Sequence, residues 1–169
     1  MTVKQGPAHH HEAAASHHEQ AAHFHREASR HYQIGKDYAH AAHMAMTAHG
    51  HALRAMEHGQ AVSAYYAGHD GSPLPGYLTR PPDNPVSTAI TSPVNLGITE
   101  HHSVAATHHD AAQRHHLQAG THASAEHYIR ANHETKYALD HGRHALFHDD
   151  QAAMLHTEHC GRHPSAELT

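Results

Sequence analysis

Apolar and polar positions along this chain follow the period of a helix rather than a strand, and alanine fills most places where larger hydrophobic residues usually stand. Between Ala8 and Ile34, Ala14, Ala21, Ala22 and Ala28 lie between two heptad stripes, His10, His17, Phe24, His31 and His11, His18, His25, Tyr32. This spacing predicts one long helix. It is entered at Gly6-Pro7, where the missing N–H of proline does no harm, and closed by Gly35 in the left-handed conformation. Asp37 then caps a second helix running to about residue 67, whose best apolar face combines Met46, His49, Leu53 and Met56, with His40 and His43 one turn apart. Gly68 is expected to end it.

Residues 69–98 change character: six of the eight prolines fall there, and no histidine occurs from Asp70 to Glu100. Leu74, Tyr77, Leu78, Val86, Ile90, Val94, Leu96 and Ile98 make the stretch too apolar for a free linker. It is expected to pack as a long loop able to cross the whole bundle, which leaves either four-helix topology open. Thr99 is read as the cap of a third helix over about residues 100–131, Asn132 as the turn, and a fourth helix follows over about 133–160 before Gly161 and Pro164 stop it. The expected fold is therefore all-α, a four-helix bundle in a single domain over 1–169. Two repeated antiparallel helical hairpins, 8–68 and 99–161, are joined by the Pro-rich crossover. The repeat rests on three matches: H-H-x-x-A-A-S-H-H-E from His10 with H-H-S-V-A-A-T-H-H-D from His101, R-H-Y from Arg30 with E-H-Y from Glu126, and H-G-H-A-L from His49 with H-G-R-H-A-L from His141.

Composition then changes the picture of what fills the core. The 169 residues include 29 His, two Phe and no Trp, so a conventional oily interior is thinly supplied. Metal coordination is the obvious extra source of stability, because its binding free energy becomes folding free energy. The formal charge of −5 with His neutral argues against a nucleic-acid partner. It reverses in acid, where imidazoles protonate. One cysteine, Cys160, excludes an internal disulfide and a C-x-x-C-H haem attachment. The N-terminus has no apolar signal region and no run of about 18 apolar residues occurs, so the expectation is a soluble, cytoplasmic protein with no membrane partner.

The densest chemistry is a ladder from His101 to His122. Paired histidines recur every seven residues at His101/His102, His108/His109 and His115/His116, with His122 keeping the beat. On a helix each pair stands roughly 10 Å above the last, and the two members of a pair point roughly 100° apart, so each can face a different neighbouring helix. Rungs on the first and third helices are too far apart to share an ion, so each would be its own site, completed by another helix. The candidate ligands are His10, His11, His17, His18, His25 and His31 on the first helix and His40, His43, His49, His51 and His58 on the second. The third supplies His101, His102, His108, His109, His115, His116 and His122, and the fourth His141, His144, His148, His156 and His159. Pairs three or four residues apart on the fourth helix, such as His141/His144, His144/His148, His156/His159 and His159/His163, could chelate one ion.

Folding each hairpin about its expected turn brings histidine opposite histidine. His122 should meet His141 and His144, His115/His116 should meet His148, His108/His109 should meet His156, and His101/His102 should meet His163. In the first hairpin His31 should meet His43, His25 His49, His23 His51 and His17 His58. Neutral imidazole suits borderline metals, Cu, Zn, Ni or Co. Met44, Met46, Met56 and Met154 could add thioethers for Cu(I), although methionine at helical spacing is more often core. The leading expectation is binding of several transition-metal ions for storage, buffering or detoxification. Two alternatives stay open: bis-histidine haem binding, and a non-enzymatic, pH-responsive structural protein. The Ala- and His-rich outer faces would also suit a homo-oligomer or larger assembly. No H-E-x-x-H, E-x-x-H, Gly-rich phosphate loop or nucleophile elbow occurs, so no enzymatic activity is expected.

The H-H-E-Q-A-A-H-x-H-R-E-A pattern from His17 to Ala28 resembles small, uncharacterised His/Ala-rich helical proteins of bacteria, a resemblance covering both hairpins but not the Pro-rich segment. In architecture the chain is also similar to bacterial copper storage proteins, four-helix bundles lined with metal ligands. Those use many cysteines and this chain has one, so a Cu(I)-thiolate store is excluded and the storage role is what the analogy implies.

Overall fold

A computed structural model describes residues 6–35, 37–69 and 96–162. Four helices account for nearly all of them: α1 Pro7–Ile34, α2 Tyr38–His69, α3 Ile98–Ser124 and α4 Tyr128–Arg162. They pack as the expected all-α bundle. Most of the expected crossover, residues 70–95, lies outside the described residues.

Heptads build the core. The buried seam positions are His11, His18, His25, Tyr32 with Ala14, Ala21, Ala28 on α1; Ala41, Ala48, Ala55, Val62 with Ala52, Tyr66 on α2; His102, His109, His116, Ala123 with Ala105, Ala112, Ala119 on α3; and Ala131, Ala138, Ala145, Ala152 with Thr135, Asp149 on α4. A seven-residue seam keeps one face of each helix against its neighbours along the whole bundle. The apolar face expected on α2 is only partly the buried one: Met56 is 7% exposed, but Met46 is 75% and Leu53 45% exposed. Alanine and glycine make the seam, so the largest apolar residues do not mark it.

Contacts fix the topology. The pairs His10–His58 and His17–His51 run α1 antiparallel to α2, His11–His116 and His25–His102 run it antiparallel to α3, and His101–His148 with His108–His141 run α3 antiparallel to α4. Helices α2 and α3 therefore share a direction and touch little. The end of α2 and the start of α3 thus lie at opposite ends of the bundle.

The first turn follows its sequence signals: Gly35 adopts φ 69°, its N–H bonds the His31 carbonyl at 3.1 Å, and the His40 N–H bonds the Asp37 carboxylate at 2.9 Å. The second turn corrects the expectation. Helix α3 stops at Ser124, not near Ala131, and Asn132 is buried inside α4. Glu126 takes φ 58°, the Glu126 N–H bonds the Ala123 carbonyl at 3.1 Å, and the His127 N–H bonds the His122 carbonyl at 2.9 Å. This is a Schellman closure with glutamate where glycine normally stands. Thr99, expected as a cap, lies inside α3, whose N-cap is Gly97. Because a left-handed non-glycine residue is strained by roughly 1 kcal/mol, Glu126→Gly should stabilise the bundle by about that much, read as a raised urea midpoint with unchanged slope.

Two small apolar clusters close the bundle: Val62, Tyr66, Ala123 and Ala131 with Tyr65 and Tyr128, and Ala28, Tyr32 and Ala41 with Met44 and Ile98. Imidazoles fill the interior between them. No described helix is long and apolar enough to cross a membrane.

Candidate metal centre

Six imidazoles form one buried column between α1 and α3. His11 meets His116, His18 meets His109 and His25 meets His102, with Nδ1–Nδ1 distances of 3.3, 3.0 and 3.2 Å. Successive rungs stack: His18 on His116 with ring centroids 5.5 Å apart, and His25 on His109 at 5.3 Å. Tyrosines end the column. The Tyr66 hydroxyl lies 2.8 Å from His11 Nε2, and Tyr32 stacks on His102 at 5.5 Å while its hydroxyl lies 2.9 Å from His156 Nδ1.

Burial keeps these rings neutral. It lowers His18 and His25 to about 3 and His11 and His102 to about 4, and holds His109 and His116 well below their ordinary value, with neighbouring histidines adding to the effect. In a neutral pair one Nδ1–H donates to the other Nδ1, which leaves both Nε2 atoms to find partners elsewhere. Nε2 of His18, His25, His109 and His116 finds none and is buried. Each such atom costs roughly 1–3 kcal/mol.

One end of the column carries a carboxylate. His25, His102 and Asp149 are all buried and each offers a ligand atom, the three lying within 4.8 Å of one another, a set that could hold a metal ion. His25 Nδ1 is 4.0 Å from Asp149 Oδ1, and His49 Nδ1 is 2.5 Å from Asp149 Oδ2. Burial raises the Asp149 carboxyl to about 6, against the opposing pull of the His49 hydrogen bond. Two ligands about 2.0–2.1 Å from zinc at a tetrahedral angle stand roughly 3.3 Å apart. The His25–His102 separation already matches, and the carboxylate, with all three ligand atoms within 4.8 Å of one another, need close by about 1.5 Å at most. A groove of about 510 Å³ whose lining includes Tyr32, His49, His102, Asp149 and His156 reaches this end.

Outside the column, half-buried pairs flank both sides. His10 meets His58 at 3.1 Å and His17 meets His51 at 3.1 Å across α1 and α2. His101 meets His148 at 2.9 Å and His108 meets His141 at 3.0 Å across α3 and α4, and His115 meets Glu134 at 2.7 Å. His144 packs against His108 at 5.2 Å. The expectation that the members of each doublet face different helices holds: His101, His108 and His115 turn to α4 while His102, His109 and His116 turn to α1.

The expected registers do not hold. The His122/His141/His144, His115/His116/His148 and His108/His109/His156 rungs do not form, because His141 faces His108 and His148 faces His101. A turn moved by one residue moves every facing partner by two, and this turn lies several residues before the expected one. His122 instead neighbours His127 at 6.3 Å, and His156 bonds Tyr32. In the first hairpin His31 meets His40 at 4.4 Å rather than His43, which is exposed, and His23 is exposed rather than facing His51. His17 does stack on His58 at 5.8 Å, and Asp149 brings His25 and His49 together. His159 packs on Tyr38 at 5.0 Å, and His163 lies outside the described residues. Sequence reasoning missed Asp149, although a carboxylate seven residues after Gly142 and fourteen after Thr135 sits in the heptad seam.

The central rungs also bear on haem. Their facing nitrogens are in contact and alanines pack around them, which leaves no gap for a porphyrin between the rings. No protein-family model, no curated protein and no solved structure matches this chain.

Proposed function

We propose that the bundle binds transition-metal ions through imidazole nitrogen, for storage, buffering or detoxification, with a divalent site at His25, His102 and Asp149. The observation that carries this reading is that two neutral imidazoles meet the one buried carboxylate among the described residues beside an open groove. A buried carboxylate costs several kcal/mol unless a cation or strong hydrogen bonds compensate it, and the ligand set of two nitrogens and one oxygen leaves a fourth position for water or cargo. The half-buried outer pairs supply further nitrogens where water can complete a coordination shell. His49 is placed to orient Asp149.

The test is the metal content of tag-free protein, followed by melting with and without chelator. Bound metal at a hundredfold excess over Kd should stabilise the fold by about 2.7 kcal/mol. Asp149→Asn should weaken Zn(II) binding at least about tenfold while preserving the contact with His49. No bound metal and an unchanged melt would sink the reading. A second reading, a structural bundle that opens in acid, draws on the same buried neutral column; it predicts an acid transition in protein that takes up no metal.

A further inference from the structure

The middle rung differs from the Asp149 end. Its two rings, His18 and His109, face each other at 3.0 Å with no buried carboxylate belonging to the rung. Across from His18, α4 carries Gly142. A Cβ there would lie 2.5 Å from Met56 Sδ and 3.4 Å from His18 Cε1, so the missing side chain leaves room that the buried Met56 sulfur and the edge of the His18 ring share. Met56 is 7% exposed, and the Nε2 atoms of both rings have no partner.

We infer that His18, His109 and the Met56 thioether form a second, chemically distinct site that takes a soft univalent cation, Cu(I) or Ag(I). The inference rests on the reading of the bundle as a metal binder. Two features select the ion. The desolvation cost of an ion rises with the square of its charge, so a dication with only neutral ligands meets about four times the penalty of a univalent ion in this dry interior. A thioether beside imidazoles is a soft donor set, which favours Cu(I) over Zn(II). The same column thus sorts cations by charge: divalent at Asp149, univalent one rung deeper. The competing account is that Met56 merely packs, sulfur against ring, as core methionines do.

The probe is Ag(I), which needs no reductant, added in chloride-free buffer to the full chain labelled with ¹³C at methionine methyls. That chain carries Cys160→Ser, which removes the exposed thiol that would take the first equivalent. One equivalent should move the Met56 methyl resonance and leave those of the exposed Met46 and Met154 in place. Met56→Leu, a volume-conserving change, should weaken that Ag(I) equivalent at least tenfold and leave Zn(II) binding intact. Asp149→Asn should do the reverse. Paired replacement of His18 and His109 by Leu should abolish the Met56 shift. If Zn(II) binds but Ag(I) leaves the Met56 methyl unmoved, or Met56→Leu takes up Ag(I) as the wild type does, this inference falls alone. If neither ion binds, it falls together with the proposed function.

Discussion

The metal-free protein should unfold cooperatively as the pH drops from about 6.5 to about 4.5. The six column histidines are neutral in the fold, with His18 and His25 lowered to about 3, His11 and His102 to about 4, and His109 and His116 further below their ordinary value of 6.5. Below pH 6.5 the unfolded chain takes up a proton at each of these rings and the folded chain does not. Stability therefore falls by about 1 kcal/mol per ring between about pH 6.5 and 5.5, about 6 kcal/mol for six, and by about 1.4 kcal/mol per ring for each further unit until the folded values are reached. Asp149 works in the opposite sense. Its folded value of about 6 lies above the ordinary 3.8, so it favours the fold as pH falls, but above pH 5.5 it returns only about 1 kcal/mol. That difference exhausts the lower part of the typical range of about 5–15 kcal/mol of stability by about pH 5.5, and nearly all of that range by about pH 4.5. Circular dichroism against pH in chelator checks this, and a helix signal unchanged at pH 4.5 would contradict it.

Removing one ring of a rung and replacing both should have opposite signs. His18→Ala strands the Nδ1 of His109 without a partner and opens a cavity, which should cost about 3–5 kcal/mol. His18→Leu with His109→Leu removes two buried, unpartnered Nε2 atoms and fills the space with side chains of similar volume. By the logic that makes well-packed apolar replacements of buried polar pairs stabilising, the double variant should gain about 2–6 kcal/mol at pH 7.5, raising Tm by roughly 5–15 °C. It should also soften the acid transition, since two of six titrating rings are gone. Thermal melts of both variants decide. A double variant as unstable as His18→Ala would mean that the rungs are there for stability, not for a ligand.

These outcomes depend on contacts of very unequal legibility in the sequence. Local features were readable: the seven-residue spacing of His11, His18 and His25, the closing role of Gly35, the cap at Asp37, and the two directions in which His108 and His109 point. The second turn was not. Glu126 carries a conformation that favours glycine, so no residue type announced it, while Asn132 offered a plausible but unused signal. That single misplacement carried every expected α3–α4 rung with it. The α1–α3 column was hidden for a different reason. His18 and His109 are brought together by the diagonal placement of α2 and α3, which packs α1 against α3, and pairing within hairpins cannot reveal it. Asp149 was overlooked because aspartate in a seam of alanines looks like a solvated residue until burial is known. Met46 and Leu53 misled by size, since close helix packing selects the smallest side chains.

The physical picture is of a fold that gives up stability along its axis. Apolar clusters at Tyr32 and Tyr66 hold the ends, and between them stand imidazoles that burial keeps neutral and therefore free to donate lone pairs to a cation. Acid that protonates these rings would also expel a bound ion, so opening and release would share one cause.

The most direct measurement is an anomalous difference map at the zinc edge from crystals of tag-free protein grown with Zn(II). The account predicts a peak bonded to His25, His102 and Asp149, with His49 still on the carboxylate. Zinc confined to surface histidines, with His25 and His102 still in direct contact and no density between them and Asp149, would contradict it.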